Sequence, residues 1–303
     1  MTGSPQWLSM ETRVKPAVFD YHRPDNIEEA CALLAEYGAD ARVLSGGQSL
    51  VPLMNMRILS PAVLIDINRC RDLAYLREEG AAIACGALTR QSEAETSDLV
   101  ASRLPLMSIA MPHVGVRASR NFGTVCGSLA HADPLAELPS VASALDARFV
   151  IASSRGRREV TADEFFVSAL TNCLEPDEML AEVKMPAIAE GAGCAFHEIA
   201  NRAHGFAVAG VAACVEFGPD GRCSRARLSA MGAGDTTARL SPVEALIEGQ
   251  RLDDALIRAA GAEAAVVADP AGDVHADAAY RAEAIGSLVR KVLRQMQGAA
   301  VER

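Results

Sequence analysis

Residues 41–67 read ARVLSGGQSLVPLMNMRILSPAVLIDI, in which two apolar segments flank a pair of glycines. The first apolar segment ends at Leu44, and the second covers Ala62 to Ile67. Because their apolar residues do not alternate with polar ones, both segments fit strands of a sheet that is covered on both faces. Two such strands separated by a glycine turn indicate a unit of alternating strands and helices.

A helix is predicted just before this stretch. Ile27, Cys31 and Leu34 recur with helical spacing, and Gly38 supplies a residue at which such a helix ends. Asp25 and Glu28 have the spacing of a capping box at its start. The first 70 residues therefore predict a β-α-β unit.

Short strands and helices alternate between residues 70 and 185. Asp133-Pro134 has the pattern of an N-cap followed by a first-turn proline, for a helix that runs to Leu145. A glycine-bearing loop is predicted at 121–128. Strands are predicted at 81–85, 148–152 and 179–185, and a further helix at 103–111.

The last third of the chain has a different pattern. Residues 186–193 are small and proline-led, which favours a domain boundary there. Beyond it, strands at 206–217 and 225–231 flank Gly218-Pro219-Asp220-Gly221, a hairpin connection. Ser241 and Glu244 have capping-box spacing at the start of a short helix. Two more helices are predicted at 252–268 and 277–297, so the layout is α+β.

Composition narrows the function classes. The chain has 303 residues and a net charge of −10, which disfavours binding to a nucleic-acid backbone. No apolar run is long enough for a transmembrane helix, and the first residues lack the apolar core of a secretion signal, so we expect a cytoplasmic protein. The eight cysteines contain no CxxC pair. They are expected to be small buried residues rather than a disulfide framework or a metal site.

Two segments could hold an anion. The first glycine segment is Val43-Leu44-Ser45-Gly46-Gly47-Gln48-Ser49-Leu50, and the second is Gly123-Thr124-Val125-Cys126-Gly127-Ser128. Glycines let a phosphate approach the backbone N–H groups, and hydroxyl and amide side chains add donors. Each segment alone is typical of a plain turn. Together they fit one dinucleotide that is held from two sides.

Other catalytic patterns are absent from the sequence. There is no GxGxxG, no phosphate-binding GxxxxGK[ST], no HExxH and no GxSxG. No convincing acid–base or nucleophilic site is found either. A chain that binds a dinucleotide without such groups suits electron transfer, in which the cofactor does the chemistry.

The two glycine segments also carry a family resemblance. VLSGGQSLVPLMNMRILSPAVLIDINR and RNFGTVCGSLAHADPLAELP resemble the two flavin-binding signatures of the medium subunit of molybdenum hydroxylases, especially those of the aerobic carbon monoxide dehydrogenase type. The flavin domain of xanthine dehydrogenase is a more distant relative. The resemblance extends from about residue 19 to about residue 281.

The resemblance implies an FAD-binding domain of the vanillyl-alcohol-oxidase/p-cresol-methylhydroxylase type and a small C-terminal α+β domain. It implies a tail at 1–15, an FAD domain at 16–187 with subdomains of about 16–70 and 71–187, and a carbon-monoxide-dehydrogenase-flavoprotein-type domain at 190–298. It also implies FAD contacts from both glycine segments, from Glu137, where aspartate is commoner, and from Leu180.

Three departures from the family pattern bear on the flavin site. Cys126 replaces a glycine of the second segment, and Gly205-Phe206-Ala207 replaces an Asp-Phe-Ala segment. Phe196-His197-Glu198 stands where relatives place a lysine or tyrosine beside the flavin ring. His197 is thus a candidate flavin contact, and the alternative is that it points to solvent or into the seam between domains.

The resemblance implies an electron-transfer subunit that binds FAD. Partner chains would be a small subunit with two [2Fe–2S] clusters and a large subunit with the molybdopterin cofactor, as a dimer of heterotrimers. One alternative is a free-standing flavin oxidase, whose covalent anchor would be Cys126 or His197. A scaffold that has lost FAD is another. Carbon monoxide, N-heterocycles, aldehydes and aromatic acyl-CoA compounds all stay open as substrates, as does the electron acceptor.

Overall fold

The structure is a computed structural model that describes residues 16–202 and 205–301, with only the backbone described for 298–301. The tail predicted at 1–15 lies outside the described residues. In the described ranges, no helix is both long enough and apolar enough to span a membrane.

The chain begins with a small parallel sheet. Its strands, in the spatial order β1–β3–β2, are β1 (Asp20–His22), β2 (Ala41–Leu44) and β3 (Val63–Asp66). Helix α1 (Ile27–Tyr37) joins β1 to β2, and α2 (Leu50–Asn55) lies between β2 and β3. The predicted β-α-β unit is therefore confirmed. Because strands β2 and β3 are parallel, the segments that follow them leave the same edge of the sheet.

The start of α1 differs from the prediction by one residue. Asn26 is the N-cap, and its side chain accepts a hydrogen bond from the Glu29 N–H at 2.9 Å. The Glu29 carboxylate accepts in return from the Asp25 N–H, also at 2.9 Å. The helix ends at Gly38, whose φ of 50° suits glycine.

A five-stranded antiparallel sheet forms the larger part of the first domain, in the order β4–β5–β10–β6–β7. Phe149 and Phe165 stack at 4.3 Å between ring centroids in its core. The strands of this sheet are β4 (Leu76–Glu79), β5 (Ala82–Gly86), β6 (Arg148–Ser153), β7 (Gly156–Thr161) and β10 (Met179–Pro186). Between β7 and β10 in the chain, β8 (Phe166–Ser168) and β9 (Thr171–Asn172) form a separate two-stranded sheet.

Seven short helices connect these strands. They are α3 (Gln91–Thr96), α4 (Asp98–Arg103), α5 (Pro105–Ala110), α6 (Arg117–Arg120), α7 (Val125–His131), α8 (Glu137–Ala144) and α9 (Ala162–Phe165). The helix predicted over 103–111 is split between α4 and α5, because Pro105 begins a new helix.

The helix predicted to start at Asp133-Pro134 begins at Glu137 instead. Ala132 has a left-handed φ of 53°, and the Asp133 carboxylate accepts from the Leu135 N–H at 2.9 Å. These residues therefore form a turn between α7 and α8, since the aspartate binds a donor two residues on instead of capping a helix.

The C-terminal domain is a four-stranded antiparallel sheet with helices on one face. Its strands, in order, are β11 (Gly193–Ala200), β12 (Ala207–Phe217), β13 (Cys223–Met231) and β14 (Ala238–Arg239). The helices are α10 (Ser241–Ile247), α11 (Asp254–Val267) and α12 (Ala278–Val301). The predicted hairpin between β12 and β13 is confirmed, closed by a hydrogen bond from the Gly218 N–H to the Arg222 carbonyl at 2.8 Å.

The capping box predicted at Ser241 is wrong. Leu240 occupies the cap position and makes no side-chain cap bond. The Glu244 carboxylate binds the Leu228 N–H at 2.6 Å and pairs with Arg239, so it joins the helix to the sheet. The Glu244 carboxylate therefore binds the neighbouring strands instead of capping its own helix.

The C-terminal sheet packs between two cores. One face, with Ala195 and Val211, belongs to a core with α11 and α12. The other face, with Phe196 and Met231, joins the core of the first domain. The two domains therefore share one continuous apolar seam.

All eight cysteines are free thiols, as predicted, and six of them are buried.

Candidate functional site

The first glycine segment leaves the edge of the parallel sheet directly after β2. Gly47 has a φ of 70°, which glycine adopts without strain, and α2 begins at Leu50. The backbone N–H groups of Gly46, Gly47, Gln48 and Ser49 donate no hydrogen bond to any described residue. The Gln48 side-chain amide donates to the Gly46 carbonyl at 3.1 Å. Four consecutive N–H donors are thus left for a ligand or for water.

The second glycine segment is not the loop that the sequence predicts. Helix α7 begins at Val125, and Thr124 is its N-cap, with its hydroxyl accepting from the Gly127 N–H at 3.0 Å. Ser128 is also helical and donates its N–H to the Thr124 carbonyl at 3.1 Å. Because threonine is a strong N-cap, it turns the glycine-bearing stretch into the first turn of a helix.

Cys126 points into the core from this helical turn. Its thiol lies 3.5 Å from the Cys85 carbonyl oxygen, and burial raises the pKa of the thiol well above its ordinary value. Its conformation is helical, so the change from glycine leaves the backbone of this segment regular. Cys126 therefore faces strand β5, whereas its neighbour Gly127 faces the first glycine segment.

The structure brings the two glycine segments into direct contact. The Ser45 and Thr124 hydroxyl oxygens lie 3.2 Å apart. A Cβ on Gly46 would overlap the Phe122 carbonyl oxygen and would lie 2.7 Å from the Gly123 Cα. A Cβ on Gly127 would lie 3.2 Å from the Ser45 hydroxyl oxygen. Glycine is therefore required here for the close approach of two backbones.

A polar network that the sequence analysis missed lies beside this contact. Asn68 donates to the Ser45 carbonyl at 2.8 Å and to Asp66 at 2.6 Å, and it accepts from Arg90 at 2.5 Å. Tyr21 donates to the second oxygen of Asp66. One sequence signal pointed to part of this network. Asp66 ends strand β3 and Asn68 follows it, at the carboxyl edge of a parallel sheet, where α/β folds bind ligands.

Glu137 stands at the start of α8, near the seam between the domains. Burial raises the pKa of its carboxyl group to about 8, and the nearby charges of Glu198 and Asp133 add to the rise. Glu198 in turn lies 3.2 Å from the Nδ1 atom of His113. Carboxyl groups and a histidine are thus gathered at the seam, and the raised pKa of Glu137 favours its protonated form near neutral pH.

Leu180 and His197 occupy different surroundings. Leu180 is buried on β10 in the core of the first domain. The His197 ring lies 3.0 Å, Nε2 to Oε1, from Gln295 of helix α12. Since side chains alternate along a strand, Phe196 and Glu198 face the first domain while His197 faces α12. The contact of Leu180 or His197 with a flavin stays a prediction.

The remaining residues of the first glycine segment lie on either side of the turn at Gly47. Val43 and Leu44 are half-buried strand residues, and a Cβ on Gly47 would lie 3.2 Å from both the Leu44 and the Val51 side chains. Ser49 stands at the N-cap position of α2 but makes no side-chain cap bond. Its hydroxyl thus stays available beside the open N–H groups.

Comparison with known proteins matches both parts of the chain. Residues 17–188 match the family described as the FAD binding domain in molybdopterin dehydrogenase, and residues 194–296 match the carbon monoxide dehydrogenase flavoprotein C-terminal domain. Among curated proteins, the 6-hydroxypseudooxynicotine dehydrogenase complex subunit alpha of Paenarthrobacter nicotinovorans is 41% identical over 92% of this chain and 95% of its own length.

Solved structures agree with the sequence matches. Carbon monoxide dehydrogenase from Hydrogenophaga pseudoflava, in a form that lacks the Mo-pyranopterin moiety of its molybdenum cofactor, contains a chain that superposes with a TM-score of 0.91 at 35% identity. The match covers 94% of this chain and 99% of that chain. Quinoline 2-oxidoreductase from Pseudomonas putida 86 gives a TM-score of 0.89 at 30% identity, with the same coverage.

These matches span both domains and include the two glycine segments. They agree with the resemblance that those segments carry and with the α+β architecture of the two domains. The chain therefore belongs to the family of FAD-binding medium subunits of molybdenum-hydroxylase-type dehydrogenases, and it is a subunit of an oxidoreductase.

Proposed function

We propose that this chain binds FAD non-covalently between its two glycine segments and transfers electrons within a heteromeric molybdenum hydroxylase. Electrons arrive from [2Fe–2S] clusters in a small partner subunit and leave to an external acceptor. The observation that carries the proposal is the contact of the segments, with Ser45 and Thr124 3.2 Å apart beside four open N–H groups. A dinucleotide with a central diphosphate needs such a pairing of backbone donors with glycine.

The residues present fit the cofactor. A diphosphate is an anion that backbone N–H groups hold well where side chains do not block its approach. The open N–H groups of Gly46 to Ser49 supply the donors. Gly46, whose Cβ position is occupied by the Phe122 carbonyl oxygen, lets the second segment lie against the first beside these donors. The Ser45, Ser49 and Thr124 hydroxyls add donors at the same edge. The first segment is thus proposed to hold the diphosphate.

FAD, when bound, supplies the redox chemistry, since it accepts and releases electrons. The protein binds it, orients it and keeps its reactive ring in a fixed place. We assign the second segment, 123–128, to the flavin and its phosphate–ribitol linkage. Glu137 is proposed as a further polar contact and Leu180 as an apolar one. The raised pKa of Glu137 keeps a proton at this carboxyl near neutral pH.

Partner chains are the next part of the proposal. The relatives described above are named as parts of a dehydrogenase complex or of carbon monoxide dehydrogenase. In the described part of this chain, no three His, Cys, Asp or Glu side chains form a group that could hold a metal ion. We therefore assign the [2Fe–2S] clusters to a small subunit and the molybdopterin cofactor to a large one, as a cytoplasmic dimer of heterotrimers.

The substrate is proposed to be chosen by the large subunit. The relatives named above act on compounds as different as carbon monoxide, quinoline and 6-hydroxypseudooxynicotine. A flavin subunit that serves all of these need not contact the substrate. The copurifying large chain is therefore the place to search for specificity among carbon monoxide, N-heterocycles, aldehydes and aromatic acyl-CoA compounds.

The geometry favours non-covalent binding over the flavin oxidase alternative. Cys126 is turned into the core toward Cys85, and His197 is bonded to Gln295. Neither side chain is directed to the contact between Ser45 and Thr124. A covalent anchor would require one of them to leave its present partner.

One preparation tests the proposal. The untagged complex is purified from its source, its native mass is measured, and its visible spectrum is recorded before and after acid precipitation. We expect a yellow chromophore that passes into the acid supernatant, and two further chains that carry iron–sulfur clusters and molybdenum. A flavin that stays with the pellet supports the oxidase instead. A colourless chain that takes up no FAD contradicts both functions.

A further inference from the structure

Two side chains outside the glycine segments join these segments to each other. Asn68 donates to the Ser45 carbonyl at 2.8 Å and accepts from one terminal nitrogen of Arg90 at 2.5 Å. The other terminal nitrogen of Arg90 donates to the Phe122 carbonyl. Ser45 precedes Gly46, and Phe122 precedes Gly123. The carbonyls in front of the two touching glycines are therefore linked through two side chains.

The orientation of Asn68 is fixed from behind by Asp66. One Asp66 oxygen accepts from both the Asn68 side chain at 2.6 Å and the Asn68 backbone N–H at 2.9 Å. Burial alone would raise the pKa of Asp66, yet hydrogen bonds from Tyr21 and Asn68 hold that pKa below its ordinary value. An ionised Asp66 accepts strongly, so the Asn68 amide group is held in one orientation.

Arg90 carries a charge that these contacts do not neutralise. Both of its acceptors, the Asn68 side-chain oxygen and the Phe122 carbonyl, are neutral. It forms no ion pair with a carboxylate within 4 Å among the described residues. Burial lowers the pKa of its guanidinium group, and the nearby charges of Asp66 and Glu93 offset only part of this effect. A positive charge is therefore held half-buried where the two segments meet, next to open N–H donors. Such a site is complementary to an anion.

We infer that Arg90 and Asn68 are positioning residues for the diphosphate of FAD. Arg90 holds the backbone of the second segment, Asn68 holds that of the first, and their mutual hydrogen bond sets the separation. Arg90 also supplies one positive charge to the site. This inference rests on the proposed function, because it assigns the residues that shape the same cofactor site.

The test measures FAD affinity in the full chain, purified together with the partner chains that accompany it and stripped of flavin. The quenching of FAD fluorescence gives Kd. Arg90→Met and Asn68→Ala should each raise Kd at least about tenfold, since each removes a hydrogen bond to a charged group. Because both act on one link, and Arg90→Met also removes the positive charge, the double variant should bind about as weakly as Arg90→Met alone.

Asn68→Asp provides a nearly isosteric second variant that keeps the volume of the site. The new carboxylate would pair with Arg90 and neutralise its charge. It would also lose the donors to the Ser45 carbonyl and to Asp66, and it would face the Asp66 carboxylate. We expect Kd to rise at least about tenfold and to depend less on salt than in the parent, since the charge available to the diphosphate is gone. Arg158→Met, which breaks an ion pair with Glu178 elsewhere, should leave Kd unchanged.

The outcomes separate this inference from the proposed function. A parent chain that binds no FAD contradicts the proposed function itself. A parent that binds FAD, with Arg90→Met and Asn68→Asp at the parental Kd and salt dependence, contradicts only the assignment of these two residues. Strictly additive effects in the double variant would also overturn it, because two independent residues do not form one link.

Discussion

The hydroxyl groups of Ser45 and Thr124 lie 3.2 Å apart across 79 residues of sequence. Ser45 follows a strand of the small parallel sheet, and Thr124 caps a helix that packs on the large antiparallel sheet. Two separately built parts of the first domain thus meet at two small side chains. The following predictions test what depends on this contact.

Gly47→Ala should weaken FAD binding. Its φ of 70° is strained for alanine by about 1–2 kcal/mol, and the new Cβ would lie 3.2 Å from two side chains in the first glycine segment. Gly80→Ala is the matched control, because Gly80 also has a positive φ of 64° but nothing lies near its Cβ position. Equal FAD affinity in the two variants, measured by fluorescence titration, would contradict the assignment of this turn.

Gly46→Ala and Gly127→Val should separate the two segments. The first Cβ meets the Phe122 backbone, and the second meets the Thr124 hydroxyl at 2.6 Å. FAD at about 100 times its Kd stabilises the parent by roughly 2.7 kcal/mol, and we expect both variants to lose this gain in thermal melts. Gly234→Ala, whose Cβ would have 3.7 Å of clearance, should keep it.

Thr124→Ala should lower both stability and FAD affinity. Loss of an N-cap costs about 1 kcal/mol, and the hydroxyl contact with Ser45 is lost at the same time. Thr161→Ala removes another N-cap, that of α9, at a distance from the glycine segments. Thr161→Ala should lower the free energy of unfolding by a similar amount in urea denaturation and should leave FAD affinity unchanged. Thr124→Ser should restore both properties.

Glu137 should make the domain less stable as pH rises. Its pKa of about 8 in the folded protein lies above its ordinary value of 4.5, chiefly because of burial. The folded state therefore binds the proton more tightly, and this stabilisation is full below about pH 4.5 and lost as pH rises through about 8. Melts of the flavin-free protein between these limits should show the loss in the parent, and Glu137→Gln should flatten the curve.

The bond of the His197 ring to Gln295 on helix α12 favours the alternative in which His197 makes no flavin contact, so His197→Ala should leave the flavin potential unchanged. Burial, with the charges of Lys291 and His113, lowers the pKa of His197, while the bond to Gln295 acts against them. Its contribution to stability is therefore present above about pH 6.5 and lost as pH falls. Gln295→Ala removes the bond that acts against this lowering, so it should enlarge the pH dependence of the melting temperature, whereas His197→Ala should abolish it. A lowered midpoint potential in spectroelectrochemistry would instead place His197 at the flavin.

Local patterns in the sequence were enough to predict the β-α-β unit, the hairpin after Phe217 and the buried cysteines. Each depends on the periodicity or chemistry of near neighbours. The helix start predicted at Asp133 was wrong because its carboxylate binds the Leu135 N–H two residues on. The capping box predicted at Ser241 was wrong because a tertiary partner takes the Glu244 carboxylate. Glu244 binds strand β13 instead of its own helix.

The candidate site shows the same division. Glycine and hydroxyl residues mark both segments in the sequence, which was enough for the hypothesis that they hold one dinucleotide from two sides, though not for their direct contact. Arg90 carried no such mark, because its role comes from lying between Asn68 and Phe122 in space. Residues that connect backbone atoms across a site are defined by geometry, and one sequence alone does not distinguish them from ordinary surface arginines.

The meeting of the two segments at the junction of two sheets has a consequence for assembly. A ligand that contacts both segments acts as a reversible cross-link, which closes a large loop of chain much as a disulfide does. Binding of the cofactor then stabilises the folded first domain, so the two processes are thermodynamically coupled. Under the proposed function, the flavin would therefore hold the two parts of the first domain together in addition to carrying electrons.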